Sequence, residues 1–447
     1  MSGSRTSEPF HKNRKEGIQV SKRLEIDYID ITKVSFGEKT QLCGSELTIN
    51  KQELISQFDT SSFDTVEIFI ASPGDDVRIL GLTDCTQPRV KADDPDATFP
   101  GYLGKLVPAG DGRTVALRGV LISELYPLKA NFKGLLDMRG PIADISMLSR
   151  HIHIILDVRP KEGVTPAAYC QAQKLAALKV AVWLAKLGIG REPNEKKVYE
   201  LTPVGPGPDG KPLPKVAYLT SQWAGFDVQQ FFMYGQSGMG TLPFVIHPNE
   251  MLDGAMIYRY MNLLYYMQEE PMIRELYARH GKDIEFVGMI VTAGKTETTA
   301  KEVSSMMAAE FARDYLHADI TINTKCGMGH CQLEQQMLHI WSERLGMKAV
   351  SVMPGVSSEK PGDLLVISDP RVDAVVHSGD VKTMTYPHIE TLIGVHDIPA
   401  LMAFDLHGPF TITTNGTVVG GNTTQGANYM TEDLDLKTTG WRMPHDD

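Results

Sequence analysis

The fold turns on "ADITINTKCGMGHCQLEQQMLHIWSERLGMKAVSVM", residues 318–353. The opening "ADITINT" is short and rich in β-branched residues, the composition of a strand. "CQLEQQMLHIWSERLG" carries a helical pattern that ends at a glycine, which predicts a helix beginning near Cys331 or Gln332. "KAVSVM" is a second apolar strand. Two such strands joined by a helix pair in parallel, because a parallel pair needs a long crossover.

The pattern continues on both sides. "KVAYLT", "LPFVIHP" and "IEFVGMIVT" precede it, "DAVVHSGD" follows, and "AKEVSSMMAAEFARDYL" supplies another helix. Apolar strands alternating with amphipathic helices predict a parallel sheet covered on both faces. Ligands of such sheets bind beyond the carboxyl ends of the strands, so the strand-to-helix loops are where chemistry is expected.

Upstream the pattern differs. Short alternating runs such as "LEIDYIDITKVSF", "DTVEIFIAS", "TVALRGVLISEL" and "HIHIILDV" read as strands. One helix follows, "TPAAYCQAQKLAALKVAVWLAKLG", with Thr165 placed to cap it, Pro166 at its first position, Gly188 as its stop and Cys170 as a packing residue. A Pro/Gly-rich stretch, "LTPVGPGPDGKPLPK", then interrupts regular structure. The expected organisation is a disordered tail at 1–22, a strand-rich α+β domain at 23–200, a linker at 201–215 and a parallel-sheet α/β domain at 216–447. The fold class is α/β.

With 447 residues, 42% hydrophobic and 22% charged, the chain has material for sizeable cores. A net charge of −11 argues against a nucleic-acid partner. No apolar run reaches the roughly 20 residues of a membrane span, and the polar N-terminus lacks the apolar core of a signal peptide. Five scattered cysteines do not form a disulfide framework, so a reducing cytoplasm is the expected compartment.

Two loops are candidates for chemistry. "AGKTETTAKEVSS", residues 293–305, leads with many hydroxyls into a helix whose free N–H groups favour an anion. "KCGMGHC" places Cys326 at a strand end and Cys331 in the first helical turn, where the helix dipole would lower its pKa. Gly327 and Gly329 let the backbone turn sharply and approach a ligand. Four readings stand for this loop. It is a transition-metal site (zinc, iron or copper) built on Cys326, His330 and Cys331, with His377, His388 or His407 completing it. It is a dithiol redox pair. It is an anion cradle with one activated thiol. Or it is an ordinary turn in which the sulfurs fill gaps. "VVHSGDVKTMTYPHIE" adds His377, Asp380 and His388 near the same sheet edge.

These residues carry a resemblance. "SPGDDVRIL", "CTQPRVKADDPDATFPGYLGK", "GDGRTVALRGV" and "LLDMRGP", then "LPKVAYL", "HPNEMLDGA", "LYARHGKDIEFVGMIVT", "AKEVSS", "DAVVHSGD" and "GNTTQGAN", resemble the pyruvoyl-subunit precursors of component B of the glycine, sarcosine and betaine reductases, with the D-proline reductase proprotein as a more distant relative. In that family the precursor cuts itself before a cysteine just after "DGA", and this cysteine becomes the pyruvoyl group. Here "DGAMIYRYMNLLYYMQEEP", residues 253–271, contains no Cys, Ser or Thr. The resemblance thus implies an intact, pyruvoyl-free member, in which the Met- and Tyr-rich segment is core, subunit interface or pocket wall, with core or interface favoured.

It further implies a cytoplasmic reductase-like or lyase-like enzyme, or a subunit of one, cleaving a C–N or similar bond of a small nitrogen-containing substrate. Cys326 and Cys331 would act as nucleophile or reductant and His330 as proton shuttle. Gly327, Gly329, Ser304, Ser305, Glu334 and His377 would bind substrate. The partners implied are a component B subunit of the cysteine or selenocysteine type and further copies in a homo- or hetero-oligomer. The alternatives are a non-catalytic scaffold subunit and a metalloenzyme built on the Cys/His loop.

Overall fold

The structure is a computed structural model that describes residues 22–125, 134–224, 230–259, 263–326, 329–353, 369–377, 383–394, 405–413 and 440–442. Apart from Lys22 the expected tail lies outside these residues, as do Gly327 and Asp380. The architecture is mixed α/β, strand-rich at the N-terminal end and built on a mainly parallel sheet at the C-terminal end.

In the first half, one sheet runs in the order Gly134–Asp137, Val77–Thr86, Val120–Leu125, Ile152–Pro160, Phe63–Ala71. A second sheet contains Glu195–Glu200, Arg23–Asp30, Gly112–Arg118 and Arg89–Lys91. The helix Pro166–Ala185 packs against strands of both. It is buried on almost every side, the burial expected of a helix with apolar residues all round. The Thr165 side chain accepts from the Ala168 N–H, Pro166 opens the helix, and Cys170 lies in the core.

Residues 201–214 carry no helix or strand. Lys215–Trp223 then enters the centre of a sheet ordered Phe244–Ile246, Glu285–Gly294, Lys215–Trp223, Ile320–Lys325, Lys348–Met353, Ala374–His377, Gly440–Arg442. Its five inner strands are parallel and its two edges antiparallel. The helices Thr298–Glu310 and Gly329–Arg344 pack against each other and against this sheet. The second helix starts two residues before the expected position.

That helix also departs from the amphipathic pattern expected of it. Gln332, Glu334, Gln335, Gln336, His339 and Ser342 are all buried, together with Cys331 and Leu338. Buried polar groups need partners. The Gln335 amide supplies two such bonds, donating to the Asn323 and Val352 carbonyls at 2.7 Å each.

A segment of the 216–447 stretch docks on the sheet of the first half. Thr391–Gly394 pairs in parallel with Val77–Thr86, and the buried Arg78 donates to the Leu406 and Pro387 carbonyls as well as to Asp137. The Met- and Tyr-rich segment is core: Leu263, Leu264, Tyr265, Tyr266 and Met267 are all buried.

Candidate active site

The "PRVK", "FPG" and "DGA" stretches meet at one turn. The Arg89 guanidinium donates to the Leu252 carbonyl and to Gln87 Oε1. Lys91 pairs with Asp253, whose carboxylate also accepts from the Gly110 N–H at 2.8 Å and the Thr114 hydroxyl at 2.9 Å. Gly254 has φ +86°, and a Cβ there would lie 2.7 Å from the Phe99 ring, so only glycine fits. This fixed turn launches the strand Met256–Arg259, which pairs with Gln230–Met233.

The launched strand ends beside the thiols. Tyr258 is buried, and its hydroxyl, which donates to the Trp223 carbonyl at 2.5 Å, lies near the Cys326 thiol. Cys326 follows the strand Ile320–Lys325 and its N–H donates to the Ser221 carbonyl at 2.8 Å. Cys331 is in the first turn of the following helix. Its sulfur packs so closely on Gly294 that a Cβ at that glycine would stand 2.7 Å from Sγ. Three neighbouring strand ends, at Trp223, Gly294 and Lys325, therefore converge on two sulfurs. Trp223 also stacks on the exposed His330 ring at 5.4 Å and 21°.

Burial dominates the electrostatics. It pushes the Cys326 thiol up to about 11, against the opposing pull of the nearby Tyr258 hydroxyl and the Lys325 charge. It pushes Cys331 further up, and the Cys326 and Glu334 negative charges add to this. The expectation that the helix start would lower the Cys331 pKa is overturned. The dipole acts over one turn at fractions of a unit charge, whereas the sulfur is fully removed from water. Burial brings Lys325 down to about 8, with the two thiols opposing. His330 is lowered by partial burial and then by Lys301.

Behind the sulfurs the two helices face each other with polar groups. Glu334 is buried, accepts from the Lys295 N–H at 3.0 Å, and has its pKa raised by desolvation. The Ser305 hydroxyl donates to the Glu334 carbonyl at 3.4 Å. Lys301 is 1% exposed, yet its ammonium has no hydrogen-bond partner among the described residues, and neither does the buried Ser304 hydroxyl. Beneath the site, Tyr218 joins Thr324 at 2.7 Å and Glu270 at 3.3 Å. Glu270 is a buried carboxyl raised to about 8 by desolvation.

Of the residues selected from sequence, Cys326, Cys331, His330, Ser304, Ser305 and Glu334 come together. Ser304 and Ser305 are not at their helix's start, which is Thr298 with the Glu297 carboxylate as cap. They lie in the second turn, on the buried face. Gly329 opens the next helix. His377 ends a strand opposite Met353, and its side chain is outside the described residues. His388 and His407 face each other at 6.3 Å, with His388 bonded to Glu390 and the Gly408 carbonyl, on the segment that docks on the N-terminal sheet.

Sequence reasoning missed Tyr258, Lys325 and Lys301. Lys325 had a legible signal, a cation ending an apolar strand. Lys301 occurs within "AKEVSS", and Tyr258 three residues beyond "DGA".

The family model for glycine/sarcosine/betaine reductase component B subunits matches residues 22–429. "Glycine reductase complex component B subunits alpha and beta" of Acetoanaerobium sticklandii is 30% identical over 382 residues, 83% of this chain and 89% of that protein. "Sarcosine reductase complex component B subunit alpha" of Peptoclostridium acidaminophilum is 31% identical over 399 residues, 84% and 90% of the two chains. "Betaine reductase complex component B subunit alpha" of the same organism is 29% identical over 407 residues, 86% and 90%. No solved structure matches significantly. Among the described residues no helix is long and apolar enough to cross a membrane. On the span of the family match and the identity to these relatives, the chain belongs to the glycine/sarcosine/betaine reductase component B subunits.

Proposed function

We propose that this chain is an intact, pyruvoyl-free component B-type subunit that cleaves a C–N or similar bond of a small nitrogen-containing substrate by dithiol chemistry. The observation that carries this is the convergence of three parallel strand ends on Cys326 and Cys331, with Tyr258 bonded to Trp223 at one of those ends. The resemblance places the family's self-processing cysteine just after "DGA". In this chain the strand that begins at that point leads directly to the two thiols.

The chemistry balances as follows. One sulfur, as thiolate, attacks the substrate carbon that bears nitrogen; the C–N bond breaks and the amine leaves with a proton. The second thiolate attacks the first sulfur, forming a disulfide and releasing the carbon as C–H after it takes up a proton. The substrate gains two electrons and the dithiol loses them, so an external dithiol reductant, supplied by a partner subunit of the cysteine or selenocysteine type, must restore the pair. Lys301, buried without a hydrogen-bond partner among the described residues, suits an anionic group of the substrate, with Ser304 and Ser305 beside it. Lys325 favours the Cys326 thiolate by its charge, and His330 exchanges protons at the solvent edge.

The test is turnover of small amino acids and their N-methyl derivatives with a dithiol donor, together with intact mass. Full-length mass and loss of turnover by about 100-fold or more in both Cys326→Ser and Cys331→Ser are expected. Unchanged turnover in either variant overturns the reading.

A second reading has its own support. Both thiols are held protonated by burial, the condition of inert structural cysteines. On that reading the chain is a scaffold for a thiol- or selenol-bearing partner. Co-purification of a partner, with activity that survives Cys326→Ser in this chain, would select it.

A further inference from the structure

A separate cluster lies two turns beyond the thiols on the Gly329–Arg344 helix. His339 and Glu343 are one turn apart there, and Asp373 immediately precedes the strand Ala374–His377. The His339 ring is completely buried. Its Nδ1 bonds the Ser351 hydroxyl at 3.1 Å. Its Nε2 has no hydrogen-bond partner among the described residues and points between two carboxylates, 3.5 Å from Asp373 Oδ1 and 3.7 Å from Glu343 Oε1. One ligand atom from each of the three residues lies within 4.8 Å of the other two.

We propose that His339 Nε2, Asp373 and Glu343 form a binding site for a divalent cation of the zinc type.

Three features argue for an ion. The two separations from Nε2 are too long for good hydrogen bonds, yet they approach the ~3.3–3.4 Å between neighbouring ligand atoms that zinc bonds of about 2.0–2.1 Å give in a tetrahedron, and the two carboxylate oxygens lie within 4.8 Å of each other. The buried imidazole nitrogen, unsatisfied by hydrogen bonding, would gain a partner. The ring is already oriented, because the Ser351 hydroxyl engages Nδ1, the outer support that metal-bound histidines usually have. Glu343 is about one-third exposed, with 37% of its side chain accessible, so solvent can deliver the ion and complete the coordination with water. One nitrogen and two carboxylate oxygens, with no sulfur, make this site chemically distinct from the cysteine loop. The ion would clamp the helix that bears Cys331 to the strand at the far side of the sheet.

The experiment uses the full chain without an affinity tag, stripped with a chelator and titrated with Zn²⁺ and then Co²⁺. One equivalent of Zn²⁺ is expected, and Co²⁺ should give visible bands of low-symmetry N/O coordination without a thiolate charge-transfer band. His339→Ala should weaken binding by at least ~100-fold, and Ser351→Ala, which keeps all three ligands, by roughly 10-fold or more. Glu343→Gln, at a partly exposed position, covers the case in which His339→Ala fails to fold, and should also weaken binding. The double variant Cys326→Ser/Cys331→Ser should bind as the parent does. Absence of stoichiometric metal in the folded parent overturns the proposal. So does binding that survives Glu343→Gln unchanged, or that is lost with the cysteines instead.

Discussion

Two buried cations of this molecule have opposite surroundings. Lys174, on the helix Pro166–Ala185, pairs with both Asp84 and Glu124, and Asp84 also accepts from the N–H groups of Cys85 and Leu264 at 2.7 Å. Lys301, at 1% exposure, has no hydrogen-bonding partner among the described residues and only longer-range attraction from Glu334, Cys331 and Glu297. A buried charge that is paired ties elements together; here a helix, two strands of one sheet and the start of the Leu264–Gln268 helix converge on one network. A buried charge without a close partner costs stability, and folds retain such costs where a ligand supplies the missing anion.

The largest expected effect breaks the first arrangement. Lys174→Met leaves two carboxylates buried without their ammonium and should destabilise the protein by about 3–5 kcal/mol in urea unfolding. Lys301→Met should cost less than ~1 kcal/mol, or stabilise, while weakening binding of an anionic substrate about 10-fold or more. Equal losses of stability in the two variants would remove the distinction between them.

Glu270 offers a pH test. Its folded pKa, about 8, lies above the unfolded carboxyl value, so the folded state holds the proton more tightly. The associated stability is fully present below about pH 4.5 and is lost as pH rises through about 8. Glu270→Gln keeps the neutral form, so relative to the parent it should gain a few kcal/mol between pH 5 and about pH 8.5 in chemical unfolding. A constant difference across that range would show that the carboxyl is not held neutral in the fold.

The smallest effect concerns the thiols. Alkylation of Cys326 in the folded protein should accelerate up to about 10-fold per pH unit from pH 7 towards its pKa of about 11. Lys325→Met should slow it several-fold at pH 8 by removing a cation that favours the thiolate. A flat pH profile would mean that access to the sulfur, not its ionisation, controls the rate.

Much of this was legible in the sequence where the signals are local. The apolar runs ending at Thr292, Thr324 and Met353 carry the parallel sheet, and Thr165 and Pro166 open one helix through its own cap, although it ends at Ala185, ahead of the expected stop at Gly188. The cysteine loop was found because loops beyond parallel strands are few. What escaped depends on distant partners. Pairing of Thr391–Gly394 with Val77–Thr86 joins strands three hundred residues apart in sequence, and no local pattern encodes that choice. Tyr258 matters only because Asp253 and Gly254 are anchored on Lys91 and Phe99. The thiol ionisation went the other way from the dipole argument because burial is a property of the assembled core.

The anchored turn has one more consequence. The chain up to Gly254 is held by Arg89, Lys91, Gly110 and Phe99, and the chain from Met256 onward by its own ladder to Gln230–Met233 and by the Tyr258 bond to Trp223. The two flanks of the Ala255–Met256 peptide are therefore anchored by separate sets of partners, one on the N-terminal strands and the other on the strand Gln230–Met233 and Trp223.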